Sequence, residues 1–109
     1  MVDNPFDDEI RVGEILRAES FEEANKPKMT KLWIDLGDEY GEIRSAGQLD
    51  HHYDPEELEG RRVLCATTLG SVRIAGFKSE ALTVGVPDED GYPVLVEPES
   101  DVPLGGLLF

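Results

Sequence analysis

Residues 42–85 read EIRSAGQLDHHYDPEELEGRRVLCATTLGSVRIAGFKSEALTVG. The run holds a polar turn, Ser45-Ala46-Gly47-Gln48, then a capped helical segment, then two apolar strands joined by Arg73 to Glu80. The helix is the best signalled element. Asp54 is its N-cap and Pro55 takes the first helical position, where a missing N–H costs nothing. Glu57, three residues after the cap, completes a capping box, and Gly60 ends the helix. This predicts barely a turn and a half, from about Pro55 to Glu59.

Outward from that run, Thr30 to Gly37 alternates strictly. Leu32, Ile34 and Leu36 point one way and Lys31, Trp33 and Asp35 the other, as in a half-buried strand. Upstream, Ile10, Val12, Ile15 and Leu16 keep an apolar face with one slip near Gly13, the pattern of a bulged strand. Ile43 leads into Ser45, and Val63 to Leu69, Ala81 to Val86 and Val94 to Val96 supply further short strands, punctuated by Gly and Pro. An all-β chain with about five short strands and one brief helix between the third and fourth predicts a small closed barrel rather than a sandwich. The outward side of Trp33 fits a stacking platform or an oligomer contact, but partial burial under the Ser20 to Met29 loop is the reading favoured here.

A length of 109 residues allows one domain, 1–109, with one core. The formal charge is −14, and the acids are spread along the whole chain. We read this as a surface adapted to concentrated salt, where a Debye length of about 3 Å at 1 M makes self-repulsion harmless. Cys65 is the single cysteine, so no intrachain disulfide forms. Its setting, Val63-Leu64-Cys65-Ala66, predicts a buried thiol acting as a small hydrophobe. The start, Met1 to Pro5, lacks the basic flank and apolar run of a leader, and no stretch is long enough to cross a bilayer. A reducing, cytoplasmic setting is expected.

Positive charge is scarce but grouped. Ala24 to Ile34 carries Lys26, Lys28 and Lys31 with no acid, and Arg61 to Ser79 carries Arg61, Arg62, Arg73 and Lys78 with no acid. If the barrel brings the loop before Thr30 near Gly70 to Arg73, a neutral or weakly positive patch sits on an acidic body, a footprint for a polyanion. The alternative is solvated lysines that only relieve local repulsion.

Catalytic and metal motifs are not found. His51 and His52 adjoin Asp50 and Asp54, but neighbours on an extended segment point to opposite sides, so a solvated loop is expected and no metal. Ser45 and Ser79 lack a nucleophile elbow or oxyanion hole, and Gly105-Gly106 lacks the strand-to-helix setting and the lysine of a phosphate loop. A non-enzyme without cofactor is expected.

In order and spacing, Glu9-Ile10-Arg11-Val12-Gly13, Lys31 to Gly37, Ser45 to Gln48, Tyr53 to Gly60 and Ile74 to Leu82 resemble the stand-alone tRNA-binding domain family, most of all its CsaA-type, export-related chaperone members. The resemblance implies an OB-fold, a five-stranded Greek-key barrel, and a homodimer formed partly by the chain ends. It places Ser45, Ala46 and Gln48 on a Ser-rich turn and Arg73, Lys78, Ser79 and Glu80 on an Arg and Ser-Glu segment. Glu80 is expected to fix Arg11 or Lys78 rather than touch ligand. Thr68 to Arg73 departs from the family pattern: an Asn, two prolines and one arginine are gone, which weakens phosphate contact and loosens the loop. The implied nucleic-acid face is Lys31, Ser45, Ala46, Gln48, Thr68, Arg73, Lys78 and Ser79, with tRNA or another structured RNA as partner. The alternatives are a module holding unfolded or presecretory polypeptides, or one docking onto an aminoacyl-tRNA synthetase.

Overall fold

The alternation of Thr30–Asp35 gives strand β2, whose inward residues Leu32 and Ile34 are fully buried while Lys31, Trp33 and Asp35 stay half-exposed on the other face. In the computed structural model, which describes residues 5–109, β2 lies between β1 (Ile10–Ser20) and β3 (Glu42–Gly47). The expectation about a leader at residues 1–4 lies outside the described residues. After α1 (Pro55–Leu58) come β4 (Arg62–Ala66), β5 (Val72–Ile74), β6 (Phe77–Ser79), β7 (Leu82–Thr83), β8 (Gly85–Pro87) and β9 (Pro93–Leu95). The main sheet has the order β3-β2-β1-β4-β7, antiparallel throughout. Two-stranded ribbons, β5-β6 and β8-β9, attach to it.

Strand β1 serves two neighbours. Its first half, Ile10 to Glu14, pairs with β4, and its second, Glu14 to Ser20, with β2. Within the pairing with β2 the register slips between Ile15 and Arg17, so the extra residue is the exposed Leu16. The bulge therefore sits beyond Gly13, where it had been expected. Gly13 answers a different need: a Cβ there would lie 2.5 Å from Ile34 Cγ2, so only glycine lets β1 cross β2 this closely.

The barrel closes between β3 and the segment from Ser79 to Thr83, and side chains do much of it. Ser45 Oγ donates to Ala81 O at 2.8 Å and accepts from Thr83 Oγ1 at 2.9 Å. The Ala46 amide donates to Ser79 Oγ at 3.2 Å and the Glu80 amide to Arg44 O at 2.8 Å. The five strands thus make a nearly closed barrel. Its interior holds Ile15, Leu32, Ile34, Leu49, Leu58, Val63 and Cys65, each aliphatic side chain worth about 1.5–3 kcal/mol when fully buried. Leu58 enters from α1, whose cap is as expected: Glu57 Oε1 accepts from the Asp54 amide at 3.2 Å, and Gly60 leaves the helix at φ +87°. Ala81 to Val86, expected as one strand, is split between β7 and β8. Gly85 carries the change of partner, approaching Pro93 so closely that a Cβ would lie 3.0 Å from that ring.

A smaller cluster forms outside the barrel. Phe21, Met29 and Phe77 are buried there, with Ala24, Trp33, Ala46 and Ile74 packed against them. Trp33 meets Phe77 edge-on at 5.5 Å, and the Arg17 guanidinium lies 4.4 Å from its ring centre. The half-burial of Trp33 among the ends of the 21–29 loop is what the sequence favoured. At the far end, Arg11 bridges to Leu107, the Leu108 amide donates to Ile10 O at 2.9 Å, and Gly105 donates to Val12 O at 2.8 Å. The tail thus covers the free edge of the first half of β1. No helix among the described residues is long and apolar enough to cross a membrane.

Burial pushes the Cys65 thiol up from 9.0 to about 12, partly offset by its hydrogen bond to the Thr83 side chain. Below pH ~8.5 the thiol is neutral in folded and unfolded chains alike; between there and the folded value only the unfolded chain ionises, so stability declines as pH rises through that window. The expected result is a native thiol inert to iodoacetamide at pH 8 and alkylated once the chain is unfolded in guanidinium. Rapid alkylation of the native chain would contradict the burial.

Candidate functional site

The loop leaving β1 returns over the outer face of the barrel because both its ends are anchored. The Phe21 amide donates to Met29 O at 2.8 Å, and both side chains sit in the outer cluster. Gln48 ties down the middle: its side-chain amide donates to Pro27 O at 3.0 Å. Lys28, in the left-handed region at φ +63°, accepts the Asp50 amide at 3.1 Å through its carbonyl.

Across from this loop stands the β5-β6 hairpin. Its two-residue turn has positive φ at both Ala75 (46°) and Gly76 (83°), as a primed hairpin turn requires. Ala75 is held in a region that favours glycine, so the hairpin tip carries local strain. Arg73 and Lys78 are directly opposed on the two strands, which puts their side chains on one face. The Arg73 guanidinium reaches Gly76 O at 3.3 Å.

Loop and hairpin enclose a groove of about 660 Å³. Ala24, Asn25, Lys26 and Met29 line it from the loop, Ala46 to Gln48 from the end of β3, and Val72 to Ala75 from the hairpin. On a chain of net charge −14, no carboxylate lines it. The floor is apolar and the rim carries Lys26, Arg73 and the Asn25 and Gln48 amides.

Ion pairing explains why the charge collects here. Arg11 pairs with Glu9, Arg17 and Lys31 with Glu19, Arg44 with Glu80, Arg61 with Glu97 and Arg62 with Glu14. Among the described residues, the cations that hold no carboxylate are Lys26, Lys28, Arg73 and Lys78. Lys26 and Arg73 line the groove, Lys28 is in the same loop and Lys78 stands beside Arg73. The juxtaposition of the two acid-free stretches that would make a polyanion footprint is present.

The individual site residues divide. Ala46, Gln48 and Arg73 line the groove, and Lys78 flanks it. Ser45 is fully buried and Ser79 nearly so, their hydroxyls engaged in the closure seam. Lys31 is held by Glu19 at 3.8 Å and lies over the Phe21 ring at 5.0 Å. Thr68 points elsewhere, donating to Asp8 Oδ1 at 2.8 Å and accepting from the Glu9 amide at 3.0 Å. Glu80 does have a positioning role, but its partner is Arg44, at 3.6 Å. Arg11 instead pairs with Glu9 and stacks over Tyr40 at 3.9 Å. Lys26 and Met29 belong to the groove although only the acid-free character of their loop marked it in the sequence.

Removing the Ser45 hydroxyl strips the nearer donor from Ala81 O, leaving Ser79 Oγ at 3.4 Å, and takes the acceptor from Thr83 at a buried position of the seam. Ser45→Ala is expected to lower unfolding free energy by about 1–3 kcal/mol, read as a shifted urea midpoint at unchanged slope. A midpoint within error of the parent would show that the seam does not hold the barrel closed.

The comparisons with known proteins agree with this architecture. Residues 10–106 match the model of the tRNA_bind family, described as a tRNA binding domain. Methionine--tRNA ligase of Archaeoglobus fulgidus is 36% identical over 97 residues, which are 89% of this chain and 14% of the ligase. The chain thus spans about one-seventh of the length of such relatives. Among solved structures, the chaperone CsaA of Bacillus anthracis superposes with a TM-score of 0.86 at 34% identity, covering 93% of this chain and 90% of that one. A CsaA chaperone protein from Picrophilus torridus gives 0.84 at 33%, covering 94% and 92%. With the barrel of OB type and the match extending over nearly its whole length, the chain belongs to the tRNA-binding domain family.

Proposed function

We propose that this chain is a non-catalytic module that takes tRNA against the 24–29 loop and the β5-β6 hairpin. The observation that carries the reading is the acid-free groove on an otherwise anionic surface, lined by two cations that hold no carboxylate, Lys26 and Arg73, with Lys78 opposite Arg73 on the hairpin and Lys28 two residues along the loop from Lys26. Lys26, Lys28, Arg73 and Lys78 suit phosphates, which position a nucleic acid, while Asn25 and the free carbonyl of the Gln48 side chain suit base edges or ribose hydroxyls. No exposed aromatic lines the groove, so recognition rests on shape and backbone more than on stacking.

Four phosphate contacts predict a log–log salt slope of about −3 and a loss of roughly four decades or more in affinity between about 0.1 M and 3 M salt. A mobility-shift titration with total tRNA at low salt, repeated at rising KCl, tests this. Retardation that fades with that slope supports the reading; no retardation of a folded chain at low salt sinks it.

A second reading has its own observation. Leu69, Val72 and Leu82, exposed by 54%, 62% and 54%, adjoin the groove around a cavity of about 250 Å³. Such a strip suits an apolar polypeptide segment, and apolar contact survives salt that screens phosphate attraction. Suppression of client aggregation that added tRNA leaves unchanged would favour this reading.

The module is proposed to act as a homodimer through the tail face, where Val102 and Phe109 are exposed by 37% and 75% beside Leu107 and Leu108. Sedimentation equilibrium of Phe109→Ser against the parent tests that assembly. Salt adaptation is proposed from the charge alone: the melting temperature is expected to rise from low to molar KCl as screening relieves repulsion, and a flat or falling profile would remove that reading.

A further inference from the structure

The segment before α1 is not extended as the sequence reading assumed. The Tyr53 amide donates to Leu49 O at 3.0 Å, closing one turn that carries His51 and His52. Adjacent side chains on a turn are not forced to opposite sides, and the two imidazoles lie 4.7 Å apart between ring centres. They face Asp88, in the turn between β8 and β9. His52 Nε2 is 2.7 Å from Asp88 Oδ2, and one ligand atom from each of the three residues lies within 4.8 Å of the others.

We propose that His51, His52 and Asp88 bind one divalent transition-metal ion of the zinc, cobalt or nickel kind, fastening the β8-β9 turn to the segment before α1. Two of the three ligands are already held from behind. Asp88 Oδ1 accepts the Asp90 amide at 2.9 Å and the Tyr92 amide at 2.8 Å, which leaves Oδ2 directed at the histidines. His51 stacks on the Tyr92 ring at 4.1 Å, tilted by 13°. Such outer contacts orient metal ligands and fix their rotamers.

Metal–ligand bonds of about 2.0–2.2 Å put tetrahedral ligand atoms roughly 3.3 Å apart. The contact of His52 with Asp88 would open by about half an ångström and the exposed His51 ring would swing inward, both small movements of surface side chains. Two imidazoles and one carboxylate suit borderline metals, whereas magnesium and calcium want all-oxygen sites. Water would complete the shell. Cys65 lies in the core and does not compete. Asp50, Asp54, Glu89 and Asp90 adjoin the ligands in sequence and favour a dication over an anion.

Cobalt(II) alone is a suitable probe, because a tetrahedral site develops visible absorption that zinc(II) then abolishes. The expected result is saturation at one cobalt per chain, reversal by zinc and indifference to excess magnesium. His51→Ala/His52→Ala is expected to abolish the signal. Asp88→Asn, which keeps the acceptor for both amides, should weaken binding about 10-fold or more. Circular dichroism of each metal-free variant checks the fold. Zinc should raise the melting temperature of the parent and not of the double variant. Absence of saturable binding overturns the proposal, as does binding of equal strength in the folded double variant, which would place the metal on the general acidic surface.

Discussion

Reversing both groove cations, Lys26→Glu with Arg73→Glu, is expected to weaken tRNA binding by about 100-fold while the chain stays folded. Charge-assisted hydrogen bonds are worth about 1.5–3 kcal/mol each, so losing two, with repulsion added, removes at least two decades at about 1.4 kcal/mol per decade. Neither side chain holds a carboxylate and both are exposed, so stability should change by less than about 0.5 kcal/mol. The salt slope should also fall by about two, because two fewer counterions are released. Arg61→Glu is the control. Arg61 pairs with Glu97 at 3.6 Å and lines no part of the groove, so its reversal should leave affinity within about threefold, the scale of a long-range charge effect. Equal losses in both variants would mean that tRNA responds to net charge rather than to this groove.

The second large effect is on the tail. Gly105 has φ +83°, and a Cβ there would lie 2.7 Å from Leu36 O and 3.1 Å from the Tyr40 ring. Its amide bonds Val12 O at 2.8 Å and its carbonyl accepts Arg11 Nη1 at 2.8 Å. Gly105→Ala therefore meets a left-handed penalty of about 1–2 kcal/mol and a backbone collision that can be relieved only by lifting the tail. The expected outcome is a loss of about 3 kcal/mol or more, with the Val12 and Leu108 amides becoming fast in hydrogen exchange while β2 stays protected. If the proposed dimer uses the tail face, the variant also becomes monomeric. Unchanged protection at Val12 and Leu108 would show that the tail is not held as described.

Local signals in the sequence carried well. The alternation of Thr30 to Gly37 and the cap of Asp54, Pro55 and Glu57 each depend on neighbours within a few residues, and each became the element expected. The bulge was displaced because Gly13 is the conspicuous irregularity in β1, yet its cause is the approach of Ile34 from another strand. Long-range relations were the least legible. A turn rich in hydroxyls and amides reads as a ligand surface until the barrel closes and brings Ala81 and Thr83 onto Ser45. Pairing is equally hidden: nothing local distinguishes Lys31, held by Glu19, from Lys26, which has no carboxylate partner among the described residues. The acid-free stretches could mark a region, and only the fold could choose within it. The orientation of the histidine pair was misread for a related reason, since an extended backbone was assumed where the chain turns.

If tRNA lies in the groove between the 24–29 loop and the β5-β6 hairpin, as proposed, its contacts fall on that loop, on Gln48 and on the hairpin. Amide chemical shifts of the isotopically labelled chain, followed during addition of total tRNA at low salt, read this out residue by residue. Shifts and broadening are expected to concentrate at Asn25, Lys26, Gln48 and Val72 to Ala75, leaving the β8-β9 ribbon and Thr68 quiet. Perturbations centred on another face, with the groove unmoved at saturation, would contradict it.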